Sequence, residues 1–165
     1  MPIARLKQLL DQNSIRYVIQ SHSTAYTAAA TAAITHTPGK EIAKAVMVSI
    51  DGVLAMVVVP GSKHVDFRAL KTALGANEVV LAHEHQFAHV FPDCEVGAMP
   101  PFGNLYNLPV FVDESLAEDA EIAFNAGSHR ELLRLAYRDF ANLVKPRLVK
   151  AVTESTAQRL ARQTA

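Results

Sequence analysis

Three short segments, far apart in the chain, contain the residues whose types and spacing could do chemistry. Lys44 lies directly before an apolar, β-branched run, the segment 97–103 is rich in glycine and proline, and His129 follows the small-residue turn 126–128. A lysine ammonium binds a phosphate or a carboxyl oxygen as a point charge. An imidazole titrates near neutral pH, so it can act as an acid or a base. One cation, one rigid loop and one imidazole would together form a small polar pocket, which is typical of a binding or catalytic site.

Each of these residues also has a purely structural explanation. The Lys44 ammonium can extend to solvent instead of into a cleft, and a lone histidine is often a surface or core residue. The prolines and glycines of 97–103 suit a tight crossover as well as a fixed display of main-chain N–H and C=O groups. Asp113 follows the apolar run 110–112, where a carboxylate either faces a cleft or caps the following turn. The local sequence leaves these alternatives open.

A second group of candidate residues is the histidine-rich segment 82–89, which contains His83, His85 and His89. On a helix, His85 and His89 are at positions i and i+4, the spacing with which two imidazoles can share a metal. The metalloprotease pattern His-Glu-x-x-His is absent, because position 87 is phenylalanine. We therefore interpret the segment as a solvated helix face and predict no metal site, with a metal-dependent hydrolase as the alternative.

The composition is that of an ordinary globular domain without a dominant charge. Half of the 165 residues are apolar, and the net charge is zero with histidine neutral. Proteins that hold nucleic acid mainly through phosphates usually carry a basic excess. The charge alone therefore favours no nucleic-acid partner, and if there is one, it should be contacted at only a few nucleotides. Cys94 is the only cysteine, which excludes an internal disulfide and a cysteine-based zinc site. No apolar run approaches the roughly 20 residues of a membrane helix. The single cysteine favours a reducing, cytoplasmic setting. As a separate expectation, the protein needs no cofactor.

The elements that must position these residues are helices and strands mixed along one chain. The strongest signal is a β-hairpin of 44–50 and 53–59 around the turn Asp51-Gly52. Thr27 and Asp66 are predicted to cap the two helices that follow them. Helices are predicted at 3–11, 28–34, 67–74 and 82–91, further strands at 16–20, 78–81, 110–112 and 121–124, and either a helix or a strand, turn and helix at 128–142.

This pattern predicts an α/β fold of the α+β type, with a curved, mixed, mainly antiparallel sheet flanked by helices. We expect a single compact domain over residues 1–153, followed by a polar, helical tail at 154–165.

Taken together, these segments resemble the YbaK/prolyl-tRNA synthetase-associated domain family of aminoacyl-tRNA editing domains. The resemblance runs from about residue 21 to residue 153 and rests on the order and spacing of 22–27, 42–44, 59–61, 97–103, 109–116 and 124–127. It implies a compact α/β fold and, within 128–142, a strand before a helix that opens at Tyr137. It also implies hydrolysis of the ester that joins a wrongly attached amino acid to the terminal adenosine of a tRNA.

The resemblance further implies a role for each candidate residue. Lys44 would hold the terminal nucleotide, and the loop from Gly97 to Pro101 would supply main-chain contacts to the ester. His129 would orient the aminoacyl group, and Asp113 would lie beside the pocket. The implied catalytic residues are Lys44, Gly97, Asp113 and His129, and the implied substrate-binding residues are His22, Tyr26, Thr27, Ala98, Met99, Pro100, Pro101, Phe102, Gly103 and Gly127. The family uses no metal, and a ribose hydroxyl of the tRNA assists the attack by water.

The implied partners are the acceptor end of an aminoacyl-tRNA and, as a second candidate, an aminoacyl-tRNA synthetase. An ester is already activated, so a pocket that positions water and stabilises an oxyanion suffices without a strong nucleophile. Selectivity among amino acids would come from pocket volume. Ala45 stands where alanine-selective relatives carry asparagine, and Met99 makes the loop bulkier, so the sequence does not identify the amino acid. A non-catalytic module of the same fold, which binds tRNA or a synthetase, is the alternative.

Overall fold

The computed structural model describes residues 3–152, and the tail predicted for 154–165 lies outside the described residues. Helices and strands alternate irregularly along this part of the chain. In order, they are α1 (Ala4–Gln12), β1 (Tyr17–Ser21), α2 (Ala28–Thr35), β2 (Ala43–Ile50), β3 (Val53–Pro60), α3 (Phe67–Leu74), β4 (Val79–Leu81), α4 (Glu84–Phe87), β5 (Val110–Asp113), β6 (Glu121–Asn125), β7 (Glu131–Ala136), α5 (Tyr137–Val144) and β8 (Arg147–Val149). Short 3₁₀ helices lie at Gly39–Glu41, Ala88–Val90, Gly103–Tyr106 and Glu114–Glu118.

The strands form a three-stranded and a five-stranded sheet. The smaller sheet has the order β1-β7-β6 and is antiparallel, and the larger has the order β4-β2-β3-β5-β8. In the larger sheet β5 runs parallel to β3 and β8, and the other pairs are antiparallel. An isolated bridge between Ile42 and Ala123 joins the two sheets. The predicted mixed, mainly antiparallel α/β fold is confirmed, and its hydrogen bonding is divided between two sheets.

The hairpin of β2 and β3 forms as predicted and provides the centre of the core. Asp51 and Gly52 have φ values of +49° and +86°, as a two-residue turn with both central residues in the left-handed region requires. Strand β3 is buried from Ala55 to its end, because it is covered on both faces. Its side chains alternate between two apolar clusters, so that Met56 packs in one and Val57 in the other.

The helix caps follow the sequence prediction. The Thr27 hydroxyl accepts a hydrogen bond from the Ala30 N–H at 3.0 Å, and the Asp66 carboxylate accepts one from the Ala69 N–H at 3.0 Å. Each satisfies a donor that the first turn of a helix leaves unpaired. In the segment 128–142, strand β7 precedes helix α5, which is the order that the family resemblance implied.

The structure differs from the prediction at two elements. The helix predicted at 82–91 is only one turn, α4, followed by the 3₁₀ helix at 88–90. Strand β8 was not predicted, because its three residues lie between Pro146 and a polar segment and have no usable periodicity. No helix within residues 3–152 is long and apolar enough to cross a membrane.

Candidate functional site

A cavity of about 70 Å³ opens between the start of the hairpin, helix α2 and the loop that contains Gly97. Its lining residues are Tyr26, Ala28, Thr31, Ile42, Ala43, Lys44, Ala45, Gly97, Met99 and Asn125. The volume accommodates roughly five water molecules, at about 10–15 Å³ for each. It is therefore of the right scale for a small amino acid side chain together with its amino group.

Lys44 is the charged side chain among the residues that line this cavity. It is partly buried at the start of β2, and its Nζ donates a hydrogen bond to the Lys63 carbonyl oxygen at 2.9 Å. Burial lowers the pKa of Lys44 from its ordinary value, since the charged form loses hydration. An ammonium has three N–H donors, so two remain for an anionic ligand such as a phosphate.

The loop around Gly97 forms the opposite side of the cavity. Gly97 has a φ of +84°, which a side chain would strain, and its N–H points to the Met99 Sδ at 3.3 Å. The Ala98 carbonyl oxygen accepts from the Gly127 N–H at 3.0 Å, which fixes this loop to the small-residue turn. The structure thus brings two of the three predicted segments, Lys44 and the loop, to one cavity.

His129 does not line this cavity. It contacts the loop that contains Gly97 from the side away from the cavity lining, at Val96. Its Nε2 is 2.8 Å from the Val96 carbonyl oxygen, and its backbone N–H donates to the Glu95 carboxylate at 2.8 Å. Because a carbonyl oxygen only accepts, Nε2 carries the proton in this contact, and the buried Nδ1 has no hydrogen-bond partner among the described residues. His129 lines a neighbouring, wider depression of about 420 Å³, which shares Tyr26 with the cavity. The geometry shows it holding the loop at Val96.

Asp113 does not reach the cavity, and we leave it out of the candidate site. Its side chain is 1% exposed. The carboxylate accepts hydrogen bonds from the Ser115 N–H and hydroxyl and, at 2.8 Å, from the Ala151 N–H. These bonds cap the 3₁₀ helix at 114–118 and attach the end of the described chain, which is the turn-capping alternative that the sequence left open.

The second half of the predicted loop supports the site from inside the core. Pro100, Pro101, Phe102 and Gly103 are all buried and none of them lines the cavity. The Phe102 ring lies 5.4 Å from the rings of Phe124 and Phe140, whose packing fixes where the loop leaves the core. These four predicted substrate contacts therefore have a structural explanation in this fold.

The remaining predicted substrate contacts also lie outside the cavity. Thr27 is the cap of α2, and Ala98 is buried with its main chain bonded to the turn. The His22 Nδ1 is 2.7 Å from the Ser23 carbonyl oxygen, and its buried Nε2 has no partner among the described residues. Gly127 has a φ of +103° and contacts Ile3 and the loop. Of the predicted substrate-binding residues, Tyr26 and Met99 line the cavity.

A comparison with known protein families assigns the chain to one of them. The family model of the aminoacyl-tRNA editing domain matches residues 22–143, which include the cavity and its supporting core. The chain belongs to the aminoacyl-tRNA editing domain family. No curated protein sequence matches it.

Solved structures show the same fold as this editing domain at low sequence identity. A protein provisionally assigned as a trans-editing enzyme for prolyl-tRNA synthetase is 20% identical, with a TM-score of 0.76 over 91% of this chain and 96% of that chain. A hypothetical protein is 20% identical, with a TM-score of 0.80 over 90% of this chain and 99% of that chain. A protein from Marinobacter aquaeolei VT8, provisionally assigned to signal transduction, is 20% identical and has a TM-score of 0.70, over 90% of this chain and 30% of that chain.

Asn125 is a cavity residue of this editing domain that the sequence analysis did not single out. It ends strand β6, and its Oδ1 is buried without a hydrogen-bond partner among the described residues. A buried acceptor without a partner costs about 1–3 kcal/mol, so it is notable where it occurs beside a cavity. The available signal was a polar residue that ends an apolar strand directly before a glycine turn. Thr31 and Ala43 also line the cavity without having been predicted to, whereas Ala45 was noted in the sequence as a position that affects selectivity.

The histidine-rich segment of the editing domain does not form a metal centre within residues 3–152. Helix α4 ends at Phe87, so His85 and His89 do not share one α-helix. The rings of His83 and His85 stack with centroids 5.7 Å apart. No group of three histidine, cysteine or acidic residues that could hold a metal occurs in this part of the chain. The metal-dependent alternative therefore has no support from the described residues.

Cys94 is also unsuited to nucleophilic catalysis in this domain. Burial raises the pKa of its thiol to about 11, with a smaller contribution from Asp93. Since the thiolate is the nucleophile, almost none is present at neutral pH. The Cys94 Sγ lies 3.5 Å from the Tyr106 hydroxyl, in a contact outside the cavity.

Proposed function

We propose that this editing domain is a deacylase acting in trans, which hydrolyses the ester between a small, wrongly attached amino acid and the terminal adenosine of a tRNA. The observation that carries the proposal is the cavity in which Lys44, Gly97 and Asn125 meet. Its lining residues include a cation at Lys44, Gly97 with an N–H bonded only to a thioether, and Asn125 with an unpaired Oδ1, but no strong nucleophile. These are suitable contacts for an aminoacyl ester, which needs positioning more than activation.

In this proposal Lys44 binds a phosphate or ribose oxygen of the terminal nucleotide. One cation is sufficient for a contact limited to the end of the tRNA, which agrees with a net charge of zero. The partial burial of the ammonium strengthens its interaction with an anion, because less water screens the pair.

The Gly97 N–H is the proposed donor to the oxyanion. Its present partner is the Met99 thioether, which is a weak acceptor. When water attacks the ester carbon, the carbonyl electron pair moves to oxygen, and a fixed N–H stabilises the negative charge that develops there. Collapse of the tetrahedral intermediate then breaks the bond to the ribose oxygen, which takes up a proton, and releases the free amino acid.

Asn125 is the proposed acceptor for the α-ammonium of the amino acid. Every aminoacyl ester carries this group, and the cavity lining contains no carboxylate to receive it. The buried, unpaired Oδ1 of Asn125 is suited to accept one of its N–H bonds. The alanine side chains at 28, 43 and 45 leave room for a small amino acid side chain, and the cavity volume of about 70 Å³ excludes larger ones.

Replacement of Asn125 by leucine is expected to lower kcat/KM about tenfold or more for every aminoacyl-tRNA that the protein hydrolyses, since a charge-assisted hydrogen bond contributes roughly 1.5–3 kcal/mol. The wild type should lose a similar factor on an N-acetylaminoacyl-tRNA, whereas the variant should not distinguish the two substrates. A loss confined to seryl- and threonyl-tRNA would instead assign Asn125 to a side-chain hydroxyl.

The proposed activity is tested by incubating the protein, in excess, with tRNAs that carry Ala, Ser, Thr, Cys or Pro. We expect at least one to be hydrolysed well above its spontaneous rate, with the same rate in the presence of a chelator. If the protein binds these tRNAs but hydrolyses none in a single turnover, it is the non-catalytic module of the same fold. Loss of hydrolysis in the presence of the chelator would instead support the metal-dependent alternative.

A further inference from the structure

The depression beside the cavity has a polar lining that the proposed ester hydrolysis does not use. It is lined by Thr24, Tyr26, Glu95, Val96, His129 and Arg130 and has a volume of about 420 Å³. Tyr26 forms part of both linings. A ligand whose end fills the cavity therefore has its next unit within reach of the depression.

Tyr26 has the geometry of a stacking platform. Its side chain is 78% exposed, which is unusual for a large aromatic residue next to a cavity. Its ring centroid lies 4.9 Å from that of His129 with the planes tilted by 58°, so the imidazole supports the ring from one side. Unpaired nucleobases stack on exposed aromatic rings of this kind.

Arg130 and Glu95 supply a donor and an acceptor to the same depression. The Arg130 Nε donates to the Thr24 hydroxyl at 3.1 Å, which fixes the guanidinium and leaves its two terminal NH₂ groups for a ligand. One oxygen of the Glu95 carboxylate accepts the His129 backbone N–H at 2.8 Å, and the residue is otherwise exposed. Within this depression the Glu95 carboxylate can accept from an amino group, and the Arg130 guanidinium can donate to ring acceptors. A base edge that carries an amino group next to acceptors, as cytosine does, complements these two groups.

We infer that this depression binds the nucleoside that precedes the terminal adenosine, with its base stacked on Tyr26 and with cytosine selected by Glu95 and Arg130. The inference rests on the proposed function, because it takes the terminal adenosine to lie at Lys44. It adds a second nucleotide subsite and a base preference to that function. The contact remains short, as the neutral charge of the chain requires.

The subsite is tested first by binding, without any hydrolysis. We expect the dinucleotide cytidylyl-adenosine to bind the wild-type protein at least about fivefold more tightly than adenosine monophosphate, which corresponds to the low end of stacking on one aromatic ring. Uridylyl-adenosine should bind more weakly than cytidylyl-adenosine, because uracil lacks the amino group. Equal affinity for the mononucleotide and both dinucleotides would overturn the subsite.

Variants locate the contact. Arg130→Gln and Tyr26→Leu should each remove most of the gain from the added cytidine, whereas Tyr26→Phe should keep it, since the aromatic face is retained. Glu95→Gln should reduce the preference for cytidine over uridine. The matched control is Arg68→Gln, which removes the same charge from an exposed arginine that lines neither depression nor cavity. If Arg68→Gln weakens the dinucleotide as much as Arg130→Gln does, the effect is general electrostatic attraction and the subsite is wrong.

Hydrolysis separates this inference from the proposed function. On an aminoacyl-adenosine without a second nucleotide, Arg130→Gln should hydrolyse the ester as fast as the wild type, and on an aminoacyl-cytidylyl-adenosine it should be at least about fivefold slower. A protein that hydrolyses neither substrate but still prefers cytidylyl-adenosine would contradict the proposed function and retain the subsite. A protein that hydrolyses both equally well, in the wild type and the variant, would retain the function and exclude the subsite.

Discussion

Replacing Lys44 with methionine is expected to reduce kcat/KM for deacylation about 100-fold while leaving the fold intact. Methionine keeps most of the aliphatic stem and removes the charge, so the hydrogen bond to the Lys63 carbonyl is lost together with any bond to a phosphate. Charge-assisted hydrogen bonds contribute roughly 1.5–3 kcal/mol each. Because this ammonium is partly buried, we expect its bond to the phosphate to contribute a free energy near the upper end of that range. Circular dichroism and the unfolding midpoint should stay close to those of the wild type.

The matched control for this variant is Lys40→Met. Lys40 is exposed in the 3₁₀ helix that precedes strand β2, and it does not line the cavity. We expect its removal to change kcat/KM less than twofold. Activity of Lys44→Met within threefold of the wild type, across a panel of mischarged tRNAs, would remove Lys44 from the mechanism.

Replacing Gly127 with alanine is expected to destabilise the protein by about 2–4 kcal/mol, the sum of backbone strain and overpacking. The residue has a φ of +103°, and an added Cβ would lie 2.4 Å from the Ile3 Cγ2. Ile3 cannot simply move away, because its N–H donates to the Ala126 carbonyl oxygen at 3.2 Å. Since the Gly127 N–H also holds the Ala98 carbonyl, the cavity loop should shift and activity should fall with stability. Denaturant unfolding measures the loss of stability, and a deacylation assay measures the loss of activity.

Two variants separate the strain at Gly127 from the collision. Gly52 has a φ of +86° with nothing within 4 Å of an added Cβ, so Gly52→Ala reports the strain alone, about 1–2 kcal/mol. Ile3→Leu removes the branched methyl at nearly constant volume, and combined with Gly127→Ala it should recover part of the loss. Equal losses for Gly127→Ala and Gly52→Ala would show that the collision contributes nothing.

The parts of the fold that could be predicted from the sequence are those that local interactions determine. The Asp51-Gly52 turn, the Thr27 cap and the Asp66 cap each depend on atoms a few residues apart, and all three form as expected. The order of strand and helix in 128–142 was ambiguous from periodicity, because leucine and arginine alternate there in a way that suits both. The family resemblance resolved it.

The parts that could not be predicted depend on which segments meet across the fold. Asp113 has the same local sequence whether it faces a cleft or binds the Ala151 N–H, 38 residues later. His129 was expected beside Lys44, but its contact with Val96 places it behind the loop. Asn125 becomes a candidate only when the structure shows that no partner reaches its Oδ1. Periodicity and spacing carry no information on such distant pairings.

The isolated bridge between Ile42 and Ala123 has a consequence for how amino acid selectivity can change. Lys44 follows Ile42 by two residues in the five-stranded sheet, and Asn125 follows Ala123 by two residues in the three-stranded sheet. Because the bridge is parallel, both residues lie beyond it in the same direction. The span, meaning the distance between the Lys44 ammonium and the Asn125 carboxamide, thus depends on how the two sheets pack against each other. Substitutions deep in either apolar cluster can therefore widen or narrow that span. If the proposed function is correct, they can change which amino acid fits without any change in the residues that line the cavity.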